Sequence, residues 1–224
     1  MAKDAAGQGE RDHRDGVHAA LPLAVAVFGF GVSFGVLART AGMGPVAPIV
    51  MSSTTFAGSA QFAAVSVLNA GGSVATAVVA AVLLNARYAP IGVSVAPSVR
   101  GPWWSRFLHG QLVVDESWVI ASEGDGRFNT RVLLGAGLTL YLAWVGGTTL
   151  GVLFGDVLGD PARLGLDAAF PALFLALLVP QLTSVRSRQA AVLGAAIALA
   201  LTPFTPPGVP IIAASAACVL GWRR

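Results

Sequence analysis

Polar side chains that could bind a small polar solute stand inside an otherwise apolar stretch, Ser52–Tyr88. Most of its residues are alanine, valine, leucine or glycine, so the stretch is apolar enough to lie in a lipid bilayer. Unpaired polar groups are costly in hydrocarbon, and a helix that only spans a membrane needs none of them. The stretch is therefore predicted to hold a binding site. The substrate-binding candidates are Ser52, Phe56, Gly58, Ser59, Gln61, Phe62, Asn85 and Arg87.

The small polar residues of this stretch also have a structural interpretation, because Ser, Thr, Gly and Asn form contacts between membrane helices. That interpretation is stronger for a single Ser or Thr than for Gln61 or Arg87, whose side chains are costlier to bury in a bilayer. Asp115 and Glu116 add adjacent acids to a short apolar segment, Phe107–Ser122. They indicate either a site for a cation, an ammonium group or a coupling proton, or the solvated edge of an interfacial helix.

The composition predicts that an integral membrane protein carries these residues. Of its 224 residues, 55% are hydrophobic and 11% are charged, against about 25% charged in an ordinary soluble domain. The continuous apolar runs lack the alternation of a transmembrane barrel. They predict an all-α polytopic transmembrane helical bundle of about seven spans, with broken or re-entrant helices among them.

The sequence also excludes several classes of function. Its 14 Lys and Arg residues are scattered at segment ends, so their charge describes topology rather than a nucleic-acid surface. Cys218 is the only cysteine, and the three histidines show no metal-ligand spacing. No phosphate-binding glycine loop is present, and no nucleophile–base pair indicates an enzyme. We therefore expect no cofactor, no metal and no catalytic activity, with a lipid bilayer and a small solute as partners.

A single transmembrane domain, residues 17–222, is predicted to follow a polar tail, residues 1–16, which we expect to be disordered and cytoplasmic. The first apolar run begins at Val17. Its glycines include a Gly31-x-x-x-Gly35 spacing, which permits close approach of a second helix. We expect these glycines to pack against another helix rather than to contact substrate.

Later segments show where helices should break. Gly58 invites a break in the second helix, and Pro90 should kink a third segment, Ser73–Val99. The clearest span is Thr130–Phe154, followed by a polar loop at 155–167. Three shorter runs complete the chain, bounded or interrupted by prolines: Ala168–Leu182, Gln189–Thr202 and Gly208–Trp222.

The distribution of basic residues leaves the number of crossings open. Arg11 and Arg14 in the tail indicate a cytoplasmic N-terminus. Three spans before residue 100 would then place Arg100 and Arg106 outside, against the positive-inside rule. Either Phe107–Ser122 crosses the membrane, or one early segment is re-entrant.

Four motifs resemble those of one known family. They are FGVLA at 34–38, SSTTFAGSAQF at 52–62, LNARY at 84–88 and DES at 115–117. In order, spacing and segment lengths the chain is similar to the AzlC-like large subunit of bacterial branched-chain amino acid exporters over residues 18–222. Such proteins usually have His where this chain has Tyr88. Because tyrosine titrates far above neutral pH, a proton-carrying role is not transferred to that position.

The resemblance implies export of leucine, isoleucine and valine, with methionine as a further candidate, across the bacterial cytoplasmic membrane. It also implies a small, separately encoded AzlD-like membrane subunit as partner. Proton coupling is expected, and assembly of several copies is left open. A passive channel, or an exporter of another small hydrophobic solute, is the alternative, because a pore can use the same polar groups.

A branched-chain amino acid needs donors for its carboxylate, acceptors for its ammonium group and a small apolar pocket. A helix broken near Gly58 could supply free N–H groups for the carboxylate, assisted by Ser59 and Gln61. Arg87 is either a second carboxylate partner or the structural partner of an acid such as Asp115. The acids at 115 and 116 are candidates for ammonium binding or proton coupling, and the aromatic residues at 56 and 62 for pocket walls.

Overall fold

A computed structural model describes residues 11–124, 126–158, 175, 178–179, 182–206 and 208–218. Most of the predicted tail, most of the 155–167 loop and most of the 168–182 run lie outside the described residues. The described helices are α1 (His13–Thr40), α2 (Val46–Thr55), α3 (Gly58–Asn69), α4 (Val74–Asn85), α5 (Tyr88–Val95), α6 (Trp103–Gly110), α7 (Asp115–Ala121), α8 (Thr130–Leu158), α9 (Val185–Leu201) and α10 (Val209–Ala214).

Minor elements complete the description. Strands β1 (Ser122–Gly124) and β2 (Arg127–Phe128) form an antiparallel pair between α7 and α8. This small hairpin is a departure from the all-α prediction, although the fold remains mostly helical. A short 3₁₀ helix, Ser215–Cys218, follows α10.

Helix α1 begins at His13, inside the segment predicted to be a disordered tail. Asp12 explains this earlier start, because its carboxylate accepts hydrogen bonds from the N–H groups of Arg14 (2.7 Å) and Asp15 (3.2 Å) and so caps the first turn. These N–H donors favour the ionised carboxylate and hold the pKa of Asp12 below its usual value. Helix α1 therefore begins about one turn before the predicted domain boundary at residue 17.

Helices α1 and α8 lie side by side and parallel, with glycines at their closest approach. A Cβ built on Gly31 would lie 2.7 Å from the carbonyl oxygen of Trp144, and one on Gly35 would meet the carbonyl of Thr148. The partners advance along α8 as the glycines advance along α1, so the two helices run in the same direction. The predicted packing role is confirmed for this pair, whereas a Cβ on Gly29 would meet nothing within 4 Å.

The predicted break near Gly58 is confirmed. Helix α2 ends at Thr55, and Phe56 adopts a left-handed conformation (φ 41°, ψ 54°) that is rare for a bulky residue. Helix α3 then starts at Gly58. The change of direction is thus made by Phe56 and Ala57, immediately before the glycine.

Helix α2 runs antiparallel to α8. The Ser52 hydroxyl lies 2.9 Å from that of Thr148, and the carbonyl oxygen of Ser53 accepts a hydrogen bond from the Tyr141 hydroxyl at 2.9 Å. Moving forward along α2 therefore means moving back along α8. Since α1 is parallel to α8, α2 starts near the C-terminal end of α1 and descends toward its middle.

Helix α3 turns back along α1, and α4 packs antiparallel against α3. The Phe62 ring reaches Phe34 of α1, with ring centroids 5.8 Å apart. Ala64 and Val67 share an apolar cluster with Ala77 and Ala80 of α4. Helices α2 and α3 thus form a hairpin with both ends toward the C-terminal end of α1.

Helices α4 and α5 form the third predicted segment, bent by 42° at their junction. The bend lies in the turn that precedes Pro90, where the proline ring removes the hydrogen bond to Ala86 and crowds its carbonyl. The predicted kink is therefore confirmed. Beyond α5, the Ser98 carbonyl accepts a hydrogen bond from Thr130 Oγ1 at 2.9 Å, so the chain arrives at the start of α8.

The predicted segment Phe107–Ser122 is a second hairpin, made of α6 and α7. The turn between α6 and α7 reaches the N-terminal half of α8, where the carbonyl of Leu112 contacts Gly137. Helix α7 then returns, and the Ala121 carbonyl accepts a hydrogen bond from the Asn129 N–H at 2.9 Å, beside the start of α8. Both ends of the α6–α7 hairpin therefore lie toward the N-terminal ends of α1 and α8.

Two described helices, α1 and α8, are long and apolar enough to cross a membrane, and the bent pair α4–α5 makes a third candidate. The predicted span Thr130–Phe154 coincides with the first 25 residues of α8. Seven spans remain a prediction. Helices α9 and α10 cover parts of the last two predicted runs, and Ile211 of α10 packs against the α3–α4 cluster.

Candidate functional site

A cavity of about 230 Å³ lies where the turns of the helical hairpins α2–α3 and α6–α7 meet, beside the central turns of α1 and α8. Its apolar wall comes mainly from the two long helices, and its polar groups come from the hairpins and the α4–α5 junction. The lining residues are Leu23, Ala26, Val27, Phe30, Phe56, Gly58, Ser59, Arg87, Tyr88, Val114, Asp115, Glu116, Leu140 and Trp144.

An ion pair forms the charged part of the cavity. Arg87 Nη2 lies 2.9 Å from Asp115 Oδ2, and the two side chains are 31% and 29% exposed. The same Nη2 donates a hydrogen bond to Ser59 Oγ at 2.9 Å and contacts the Tyr88 hydroxyl at 3.3 Å. The guanidinium carbon also lies 5.1 Å from the centre of the Tyr88 ring, within cation–π range. Of the two alternatives predicted for Arg87, the structure shows the pairing with Asp115, and a role in binding a substrate carboxylate stays a prediction.

The first turn of α3 offers further donors. Ala57 occupies the N-cap position and supplies no side-chain cap. The N–H groups of the first helical turn have no partner within their own helix, and the helix dipole gives this end a partial positive charge. Because Gly58 and Ser59 both line the cavity, this first turn of α3 lies at its wall.

Gln61 lies behind the cavity, in a buried hydrogen-bond network. Its Oε1 accepts from Trp144 Nε1 at 2.9 Å and from the Ala57 N–H at 3.3 Å. Its Nε2 donates to Ser52 Oγ at 2.9 Å, and that hydroxyl is paired with Thr148. Gln61 and Ser52 are fully buried. Both therefore hold the helix break and the Trp144 ring in position.

Six of the predicted site residues line the cavity and four do not. Those at the cavity are Phe56, Gly58, Ser59, Arg87, Asp115 and Glu116. Ser52 and Gln61 belong to the network just described, and Phe62 packs against Phe34 and Trp144. Asn85 is the last residue of α4, and its Oδ1 is buried without a hydrogen-bond partner.

The structure adds residues that the sequence analysis did not single out. The Trp144 ring forms one cavity wall, stacks on Phe34 at 5.8 Å and lies close to Gly58. The hairpin turns are tied by Gln111, whose Nε2 donates to the Thr54 carbonyl at 2.8 Å. Polar or aromatic residues within an apolar run were the available signal, but their partners are distant in sequence.

The cavity combines a cation, two carboxylates, the first turn of α3 and an apolar wall. Such a set of groups can hold a small molecule that carries both charges and an aliphatic side chain. Among the described residues, no group of three or more His, Cys, Asp or Glu side chains could hold a metal ion.

Comparison with known proteins finds relatives over most of the chain. An uncharacterized membrane protein of Archaeoglobus fulgidus is 36% identical over 213 residues, covering 93% of this chain and 94% of that protein. The branched-chain amino acid transport protein AzlC of Bacillus subtilis is 28% identical over 192 residues, covering 81% and 74%. The inner membrane protein YgaZ of Escherichia coli is 26% identical over 216 residues, covering 91% and 85%.

No solved structure matches the chain. The family model described as AzlC protein matches residues 22–158, more than half of the chain and every residue that lines the cavity. This match and the extent of similarity to the Archaeoglobus membrane protein together identify the family of the chain. The chain belongs to the AzlC family.

Proposed function

We propose that the chain is the large subunit of a two-component exporter of branched-chain amino acids in a bacterial cytoplasmic membrane. The observation that carries the proposal is the cavity at the central turns of α1 and α8, with the Arg87–Asp115 ion pair on one side and aliphatic and aromatic side chains on the other. Transporters commonly bind their substrate near the membrane midplane, where interrupted helices offer free backbone groups.

The proposed topology is multi-pass, with α1, α4–α5 and α8 crossing the membrane. The hairpins α2–α3 and α6–α7 each return to the side from which they enter, so they are re-entrant in this proposal. Arg100 and Arg106 then lie on the same side as Arg11 and Arg14, as the positive-inside rule favours for a cytoplasmic side. With these three crossings, the four arginines lie on one side of the membrane, and Phe107–Ser122 does not need to cross it.

The proposed substrates are leucine, isoleucine and valine, with methionine as a further candidate. The Bacillus relative is named for branched-chain amino acid transport. An aliphatic side chain would lie against Val27, Phe30 and Leu140, which are apolar lining residues. The carboxylate would take the N–H groups of α3 and the Arg87 guanidinium, since charge-assisted hydrogen bonds to a carboxylate are the stronger kind.

Proton coupling and a small AzlD-like subunit are further parts of the proposal. Glu116 lines the cavity next to the ion pair and is the proposed proton carrier. A passive channel is the second candidate function, because the same polar groups could line a pore. Flux that saturates and follows the proton gradient separates a carrier from a channel.

The test is efflux of preloaded labelled leucine from cells that express the chain with and without a small AzlD-like partner, before and after collapse of the proton gradient. We expect saturable efflux that needs the partner and the gradient. Arg87→Gln should abolish it, while Arg100→Gln, a matched change at an exposed arginine, should not. Absence of efflux for every branched-chain amino acid in well-expressed protein would refute the proposed substrate, and non-saturable flux would favour the channel.

A further inference from the structure

The Arg87–Asp115 ion pair joins two separate parts of the molecule. Arg87 lies at the α4–α5 junction, and its other partners, Ser59 and Tyr88, lie on α3 and α5. Asp115 is the first residue of α7, in the second hairpin. When this pair opens, the guanidinium therefore stays with α3–α5 and the carboxylate stays with the α6–α7 hairpin.

Opening the pair leaves two opposite charges facing the cavity, and a ligand must satisfy both. An acid without an amino group could pair with Arg87 only by leaving Asp115 as an uncompensated, partly buried carboxylate. An amine without a carboxylate would pair with Asp115 and leave Arg87 uncompensated. An α-amino acid carries both groups on neighbouring atoms, so its carboxylate replaces Asp115 at Arg87 while its ammonium group replaces Arg87 at Asp115.

We propose that a substrate enters this site by replacing both halves of the Arg87–Asp115 ion pair, so that the cavity selects free α-amino acids against the matching acids and amines. The inference rests on the proposed function and adds how the charged groups of the site receive a substrate and which analogues they reject. The same exchange breaks the only ion pair between the α6–α7 hairpin and α3–α5 that the described residues show. The hydrogen bonds from Trp118 Nε1 to Ser94 Oγ and from Gln111 Nε2 to the Thr54 carbonyl stay in place.

The expected selectivity follows from the exposure of the pair. A site built around polar partners rejects an analogue that lacks one of them by large factors. Because the two side chains remain about 30% exposed, solvent screens part of this penalty. We expect leucine to bind about tenfold to a hundredfold more tightly than either single-charge analogue.

The test compares three ligands with the same branched tail on the purified full chain. They are leucine, 4-methylpentanoate, which lacks the amino group, and 3-methylbutylamine, which lacks the carboxylate. Dissociation constants are measured by calorimetry, with and without the small partner. Equal affinity for leucine and either analogue in the wild-type chain overturns the inference, and this comparison requires no variant.

Two variants add a reciprocal readout. Asp115→Asn should shift the preference from leucine toward 4-methylpentanoate. The neutral amide removes the carboxylate that would otherwise stay uncompensated when the acid pairs with Arg87. Arg87→Gln should shift it toward 3-methylbutylamine. Folded variants that lose affinity for all three ligands to the same extent would indicate a merely structural ion pair and overturn the inference. Leucine binding without discrimination refutes the inference alone, whereas no binding or efflux of any branched-chain amino acid refutes the proposed function as well.

Discussion

Replacing Gln61 with leucine removes the centre of the buried network behind the cavity while nearly preserving side-chain volume. The Gln61 amide accepts two hydrogen bonds, from Trp144 Nε1 and the Ala57 N–H, and donates one to Ser52. After the substitution, the indole and the backbone N–H lose these acceptors. The Ser52 hydroxyl keeps its partner Thr148. We expect a less stable protein whose helix break and indole ring are no longer fixed.

The magnitude follows from the two buried donors that lose their acceptor. Each orphaned donor costs about 1–3 kcal/mol, which gives roughly 2–6 kcal/mol for the pair. Hydrogen bonds within membrane proteins average only about 0.6 kcal/mol in double-mutant cycles, because the unfolded chain finds other partners in the bilayer. The smaller membrane value favours the low end of the first range. We therefore expect a loss of about 2 kcal/mol in the free energy of unfolding.

The assay is equilibrium unfolding of purified wild-type and variant protein in the same detergent, together with leucine efflux per folded molecule. Gln189→Leu is the matched control, since Gln189 is exposed on α9 and should change the free energy of unfolding by less than about 0.5 kcal/mol. If Gln61→Leu matched this control in both stability and efflux, the network would not hold the helix break.

Three further predictions concern the helix seam, the cavity and the first cap. Gly31→Ala should destabilise the protein, because its Cβ would lie 2.7 Å from the Trp144 carbonyl oxygen. Gly29→Ala has open space around its Cβ and should be neutral or stabilising by up to about 1 kcal/mol. Thermal unfolding of both variants checks this, and equal losses of stability would contradict it. Gly58→Ala places a methyl group 3.0 Å from the Trp144 ring at the cavity wall, so leucine efflux should fall more than valine efflux in a competition assay, and a uniform loss would indicate a general folding defect instead. The pKa of Asp12 is lowered, so its cap persists as pH falls through the usual aspartate range and is lost only below it. The protection of the capped first-turn N–H groups against hydrogen exchange, taken relative to their intrinsic rates at each pH, should be lost only at that lower pH, and its loss near the ordinary aspartate pKa would refute the assignment.

Local sequence signals predicted the breaks in the helices better than the directions of the pieces. Gly58 and Pro90 disturb a helix through their own backbone chemistry, so the breaks that they indicate could be predicted. The direction after a break depends on distant partners. Phe56 keeps its left-handed backbone beside Tyr141, with the two rings 5.2 Å apart, and the Thr54 carbonyl is satisfied by Gln111. No local pattern contains these contacts.

The same distinction holds for the site. Ser59, Arg87 and Asp115 were predicted to belong to one site, with an acid such as Asp115 as one of two alternative partners of Arg87. The structure brings Arg87 within hydrogen-bond distance of both Ser59 and Asp115. Gln61 shows the limit of that reasoning. Its rarity in such a segment indicates importance, but only the contact with Trp144 reveals that its amide is already occupied. A polar residue in a membrane helix can therefore be necessary for a binding site without touching the ligand.

The contacts of α2 and α3 with α8 have a consequence for the order in which the chain folds during synthesis. Ser52 waits for Thr148, which is synthesised 96 residues later, and Gln61 waits for Trp144, 83 residues later. At about 5–20 residues per second, this delay lasts roughly 5–20 s. During that interval the polar face of the α2–α3 hairpin has no partner on α8 and must remain hydrated or sheltered. Helix α8 therefore has to be synthesised before the α2–α3 hairpin can form its final buried contacts.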